Sequence, residues 1–311
     1  MTTKVKTGLI AADAVETANI KDANVTTAKL ATDAVTAVKI TDATITAAKL
    51  AVGVVTLPFN FIGGLKTSTD IEGGDTVHDI NIAAGEARDD TNAKDIVLAT
   101  EITKRIDAPW GETTDAGGMD TGAVANSTLY AVWLILRSDT GVVDALFSTS
   151  FTAPTMPTSY DYKRLIGSVK TDGSADIVNF TQSGNYFRYT GDVIADVSDA
   201  TITSVTYENA ALSVPPSCLA HVYAGLTNNT ATGTEIRFFL RTKGAADDLV
   251  VDQEAWMRVV RGSAVIDGGS MSGDVLVDSI SKVEYACLET DGTATVTINT
   301  YGFTMFTRTD P

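Results

Sequence analysis

The chain has 311 residues and a formal net charge of −16, from 23 Lys and Arg against 39 Asp and Glu. The charge is uneven: residues 1–56 hold six Lys and five acidic residues, for +1, so the remainder carries −17. An acidic body repels phosphates, which argues against a nucleic-acid partner, and no run of about 20 apolar residues is present to insert in a membrane as a helix.

The first 55 residues are periodic. Val5, Ile10, Val15, Ile20, Val25, Leu30, Val35, Ile40, Ile45, Leu50 and Val55 fall at five-residue intervals, and nothing after Leu57 repeats. A fixed period is the signature of a repeat architecture. In an α-helix five residues advance roughly 500°, so these positions would spread around the whole helix. In a flat strand, residues five apart point to opposite faces. What remains is a chain that bends once or twice per repeat and returns one apolar side chain inward each time.

The full unit is ten residues. Lys29, Lys39 and Lys49 each precede an inward residue; Thr26, Thr36 and Thr46 each follow one; Asp22, Asp33 and Asp42 sit where turns are expected. Nine of the eleven inward residues are Val or Ile, which suits extended backbone. Burying each is worth roughly 1.5–3 kcal/mol, but only if something covers it. One apolar residue in five cannot build a core in a single chain, whereas three copies wound about a common axis can.

Over residues 5–56 this decapeptide pattern resembles the triple β-helical shafts of bacteriophage fibre proteins. The resemblance implies a homotrimer with the eleven positions as its core. Two other readings stand beside it. Ala18, Ala23, Ala28, Ala43 and Ala48 lie two before inward residues, which is similar to monomeric pentapeptide-repeat β-helices that bind a protein partner. Against this, the inward residues are mainly Val or Ile rather than Leu or Phe, and eleven pentads make fewer than three coils of four. A disordered Ala/Thr-rich linker leaves the strict spacing unexplained.

Met1-Thr2-Thr3-Lys4-Val5 lacks the apolar core of a secretion signal, so export by a signal peptide is not expected. Pro58 and Gly63-Gly64 mark the end of the repeat. Beyond it, short β-type runs alternate with Gly, Asp, Asn and Thr. The expected fold class is all-β: a shaft and virion attachment over 1–57, a β-rich middle domain over 58–192, and a β-sandwich or jelly roll over 193–311. The two later domains are expected to be antiparallel and sandwich-like.

In the middle region, Asn92 to Arg105 fits a short helix or an alternating strand equally well. Thr128 to Leu136, Leu165 to Val169 and Ile177 to Phe180 predict strands. The run Leu129-Tyr130-Ala131-Val132-Trp133-Leu134-Ile135 is apolar on both faces and predicts a central buried strand. Several segments here resemble a domain that recurs in phage and prophage fibre or virion proteins. They include Asp79-Ile80-Asn81-Ile82-Ala83-Ala84-Gly85, Lys104-Arg105-Ile106-Asp107-Ala108 and Gly117-Gly118-Met119-Asp120-Thr121-Gly122. Leu146 to Ser150, Pro154 to Pro157 and Tyr160 to Ser168 complete the likeness, which implies a structural class and no chemistry. Leu165 departs from it where a second Arg is common, so any ion pair made by that Arg is lost.

Further on, Cys218 to Leu226, Ile236 to Leu240, Trp256 to Val260, Val283 to Leu288 and Thr295 to Phe306 predict strands. Asn228-Asn229, Lys243-Gly244, Asp267-Gly268-Gly269 and Asp291-Gly292 predict turns between them. Parity switches between Val296/Ile298 on one face and Tyr301, Phe303 and Met305 on the next, which predicts a bulge or bend near Gly302. Cys218 and Cys287 lie in apolar stretches and are expected to be buried thiols rather than a bridge.

With only His78 and His221, histidine triads and multi-histidine metal sites are nearly excluded. Both are expected in structural positions. Asp89-Asp90, Asp247-Asp248, Asp267 and Asp274 are the carboxylates that counting alone leaves open for glycoside hydrolysis. Trp110 is a loop residue that either stacks on a sugar or plugs a gap. No catalytic residue, metal ligand or cofactor site is assigned.

The resulting expectation is a non-enzymatic, homotrimeric tail or head fibre of a tailed phage, assembled in host cytoplasm and located in the virion. Its N-terminus contacts other virion proteins, and its β-domains display a surface toward a host glycan or protein. The alternatives are a tailspike-type polysaccharide hydrolase and the monomeric pentapeptide-repeat binder.

Overall fold

The computed structural model describes residues 56–69, 75–191, 193–202, 206–228, 235–244, 257–260, 267–288 and 294–306, with Thr26, Leu30 and Thr36 from the repeat. Two compact units are present, residues 1–55 and 56–311. The described residues form strands and no helix, so the all-β class holds.

The first ten strands are β1 (Ile62–Gly64), β2 (Thr67–Thr69), β3 (Asp79–Ile82), β4 (Gly85–Arg88), β5 (Asp95–Leu98), β6 (Ile102–Pro109), β7 (Ala116–Met119), β8 (Leu129–Arg137), β9 (Val143–Ser148) and β10 (Tyr160–Lys170). The next ten are β11 (Phe180–Ser183), β12 (Tyr186–Tyr189), β13 (Ile194–Ile202), β14 (Glu208–Ala211), β15 (Leu219–Asn228), β16 (Glu235–Thr242), β17 (Met257–Val260), β18 (Asp267–Leu276), β19 (Lys282–Leu288) and β20 (Ala294–Thr304). They form four sheets, ordered β1-β4-β5, β10-β8-β9-β7-β6-β3-β2, β11-β12-β20-β15-β18 and β14-β19-β16-β17, with β13 also pairing β20.

β8 is buried along almost its whole length because it lies between β10 and β9 and is covered on both faces. Tyr130, Val132, Leu134 and Leu136 face the main core, while Ala131, Trp133 and Ile135 pack with Leu146 and Tyr160 on the other side. The main core is continuous from Ile62 to Met305, and the strands on either side of residue 192 share the sheet built on β20.

Several local expectations are corrected. Asn92 to Arg105 takes the strand alternative of the two left open: it holds β5 and the start of β6, with Ile96, Leu98 and Ile106 buried at strand spacing. Only Phe180 of the run from Ile177 enters a strand; Ile177 makes an isolated bridge to Thr171. Asp267-Gly268-Gly269 is not a turn but the start of β18, which pairs β15 over ten consecutive rungs. A backbone ladder needs no side chain, so a Gly-rich segment can serve as the edge strand there.

The large sheet is also not wholly antiparallel, because β7 runs parallel to both β6 and β9. After Pro109 the chain doubles back over β6, held by Trp110 N–H to Met119 O (2.8 Å), Gly111 N–H to Gly117 O (3.0 Å) and Asp115 N–H to Thr103 O (2.8 Å). Only glycine fits at 117, where a Cβ would lie 2.0 Å from Pro109 O.

Candidate functional site

Of the eleven predicted shaft positions, Val5, Ile10, Val15, Ile20, Val25, Val35, Ile40, Ile45, Leu50 and Val55 lie outside the described residues. Leu30 is described and is 47% exposed in the single chain. Thr26 and Thr36 are exposed as well.

The segment where the chain enters the second unit is tied down by side chains. Leu57 N–H donates to Asp95 Oδ1 at 3.2 Å, and Arg88 Nη1 holds the same oxygen at 2.6 Å. Asn60 N–H donates to Asn92 Oδ1 (2.8 Å), and Arg164 Nη2 donates to Asn60 O (2.8 Å). Leu165, next to Arg164, takes no part in an ion pair; it lines a depression with Trp133, Phe151 and Phe306.

Among the described residues, the carboxylates left open for hydrolysis are each engaged by their own partners. Asp89 is fully buried and accepts from Thr91 N–H (2.9 Å), Thr91 Oγ1, Ala93 N–H (2.6 Å) and Lys94 N–H (2.5 Å), which closes the β4–β5 turn. Burial works against its charge, but these donors outweigh it and lower its pKa. Asp90 pairs with Lys163 at 2.5 Å, and Asp274 with His221 at 2.6 Å. Asp247-Asp248 and the Asp267 side chain lie outside the described residues.

His221 sits on the outward face of β15. Nδ1 meets Asp274, Nε2 meets Thr304 Oγ1 at 2.8 Å, and the ring stacks on Tyr301 (5.9 Å) and meets Tyr186 edge-on (5.1 Å). These contacts fix the ring in place. Around it the same face presents Tyr223, which is 40% exposed, and Arg188, whose guanidinium lies 6.0 Å from the Tyr301 ring centroid. Arg188, Val193, Tyr223, Ser272, Asn299 and Tyr301 line an open depression there. Aromatic rings beside hydrogen-bonding side chains suit a polar ligand with apolar faces.

His78 is more heavily engaged than its sequence neighbours indicate. Nδ1 lies 2.8 Å from Asp75 Oδ2 and Nε2 lies 3.4 Å from Asp176 Oδ1. Burial opposes the imidazolium, but the bond to Asp75 and the charges of Asp75, Asp107 and Asp176 outweigh it and raise the pKa. Asp75, His78 and Asp107 bring ligand atoms within 4.8 Å of one another, a donor set able to accept a divalent ion. Arg105 already forks onto Asp107 at 3.1 and 3.3 Å.

Lys104 and Asp144 carry no signal in the sequence, since β6 and β9 are separated by β7 and meet only in the fold. Both are buried, with Nζ 3.2 Å from Oδ1 and 3.3 Å from Oδ2. Burial pushes the Lys104 pKa down and the Asp144 pKa up. Trp110 covers the pair: its ring lies 5.5 Å from Nζ, its Nε1–H donates to Ala145 O at 3.1 Å, and it packs edge-on against Tyr160. This is the plug reading of Trp110. Cys218 and Cys287 are buried and not bridged to each other; burial pushes the Cys218 thiol up to about 12.

No family model and no curated protein matches the chain. Among solved structures, that of infectious bursal disease virus Gx strain is similar over 77% of this chain and 70% of that one. The identity is 11% and the TM-score 0.24, a likeness too distant to carry an argument.

Proposed function

We propose that this chain is a structural component of a tailed-phage virion: a homotrimeric tail or head fibre whose repeat winds into a β-helical shaft and whose acidic β-unit is displayed for host-surface adhesion. The observation that carries this reading is the unbroken five-residue spacing of eleven apolar residues in a segment too polar to bury them within one chain. The half-exposed Leu30 supports it, because partner copies are what would cover that side chain.

In this reading the N-terminus docks on other virion proteins, and three copies of one surface convert weak single contacts into avidity. The outward face around Tyr223, Tyr301 and Arg188 is the candidate contact for a host glycan or protein. A structural role is also favoured over polysaccharide cleavage by the engagement of Asp89, Asp90 and Asp274 in turn and ion-pair bonds. The test is an image of the intact particle with this protein tagged. A threefold appendage bearing the tag is expected; particles that carry none of the protein would refute the assignment. Clearing of host polysaccharide by the purified protein would favour a tailspike instead.

A further inference from the structure

We propose that Lys104 and Asp144 condense to an intramolecular isopeptide bond between Nζ and Cγ, a covalent tie between β6 and β9 across β7. The amine touches both carboxyl oxygens in a site where neither residue meets solvent to any extent.

The surrounding bonds accommodate the reactive form of each partner. A neutral amine has two hydrogens and one lone pair. Gly111 O at 2.6 Å and Thr113 O at 3.1 Å accept the two hydrogens, leaving the lone pair for the carboxyl group. On the other side, Ala145 N–H donates to Oδ1 at 2.7 Å and Thr113 N–H to Oδ2 at 3.1 Å. Donors placed in this way stabilise the oxyanion of a tetrahedral intermediate. Thr113 serves both partners from a left-handed backbone conformation, φ +99°, which a β-branched residue rarely adopts. Such strain persists only where the surroundings fix it, and it clusters at sites of chemistry.

Burial shifts both partners toward their neutral forms, lowering the Lys104 pKa and raising that of Asp144, because two charges out of water are costly. Glu112 lies beside Thr113, held by Arg137 Nη1 at 3.3 Å, and its charge acts on Lys104. Tyr160 Oη donates to it at 3.1 Å.

The step balances without an oxidant or co-reactant. The Lys104 lone pair forms the N–Cγ bond, and one amine proton passes to the hydroxyl oxygen of the Asp144 acid, whose two oxygens lie 3.2 and 3.3 Å from Nζ. The Cγ–O bond to that protonated hydroxyl breaks, and one water leaves. The product is a neutral amide in place of two desolvated ionisable groups. Gly111, Thr113 and Ala145 remain positioned to satisfy its polar atoms.

The test is the intact mass of the full purified chain, followed by trypsin digestion after unfolding. The wild type should be lighter than its sequence mass by one water and should give a branched peptide joining the Lys104 and Asp144 segments. Lys104→Arg and Asp144→Ala should each show the full sequence mass. A wild-type chain at full sequence mass, with Lys104 cleaved by trypsin and Asp144 in a separate linear peptide, would overturn the proposal whether or not the variants fold.

Discussion

His221 on β15 faces Gly302 on β20, and the next rung of the same ladder joins Val222 to Thr300. Tyr301 is therefore the extra residue of a β-bulge and does not share the face of Phe303 and Met305 as expected: it turns outward onto the His221 ring, while they return to the core. The bulge also lets β12 close on β20. A Cβ on Gly302 would lie 2.4 Å from the Phe187 carbonyl oxygen, a backbone atom that cannot step aside.

Gly302→Ala should accordingly destabilise the protein by about 1–3 kcal/mol through forced separation of β12 from β20. Gly173→Ala, whose Cβ meets nothing within 4 Å, is the control and should stay within about 0.5 kcal/mol of wild type. Urea unfolding of the two variants side by side checks this.

Asp89→Ala should cost about 2–3 kcal/mol, since it strands the Thr91, Ala93 and Lys94 N–H donors of the β4–β5 turn. The folded pKa of Asp89 lies below its ordinary value of 3.8. Its contribution is thus complete above that value and is lost as the pH falls through the lower folded one. Acid unfolding of wild type and Asp89→Asn should converge at low pH and diverge above it.

His78 behaves with the opposite sign. Its folded pKa is raised above 6.5, so its contribution is complete below 6.5 and is lost as the pH rises through the folded value. The partners are part-exposed, which limits the effect to less than about 1 kcal/mol. In His78→Gln this downward slope of stability with rising pH should vanish, measured by thermal unfolding at stepped pH. An unchanged slope would place the titration elsewhere.

Strong local patterns were legible in the sequence. The doubly apolar run from Leu129 to Ile135 could only be a strand covered on both faces, and it is β8. The parity switch between Ile298 and Phe303 located the bulge to within one residue. What was not legible depends on pairing between distant segments. Gly268 and Gly269 carry turn chemistry, yet β15 offers them a ladder. Lys104 and Asp144 are 40 residues apart and meet because β7 inserts between their strands. Asp176 reaches His78 only because Ile177 N–H bonds Val77 O, at 2.8 Å.

The repeat supplies its own mutational test. Ile20→Asp combined with Ile40→Asp places two carboxylates where a wound shaft has its axis. Their desolvation cost repeats in every copy, so the assembly should dissociate. Sedimentation of the double variant should show single chains with the strands of residues 56–311 retained by circular dichroism.

The most direct test of the central claim is the mass of the native protein in solution, by light scattering on the full chain. Three companion segments sharing one interior predict a particle of three times the chain mass. A well-folded particle of one chain mass, at any concentration tested, would contradict the fibre account.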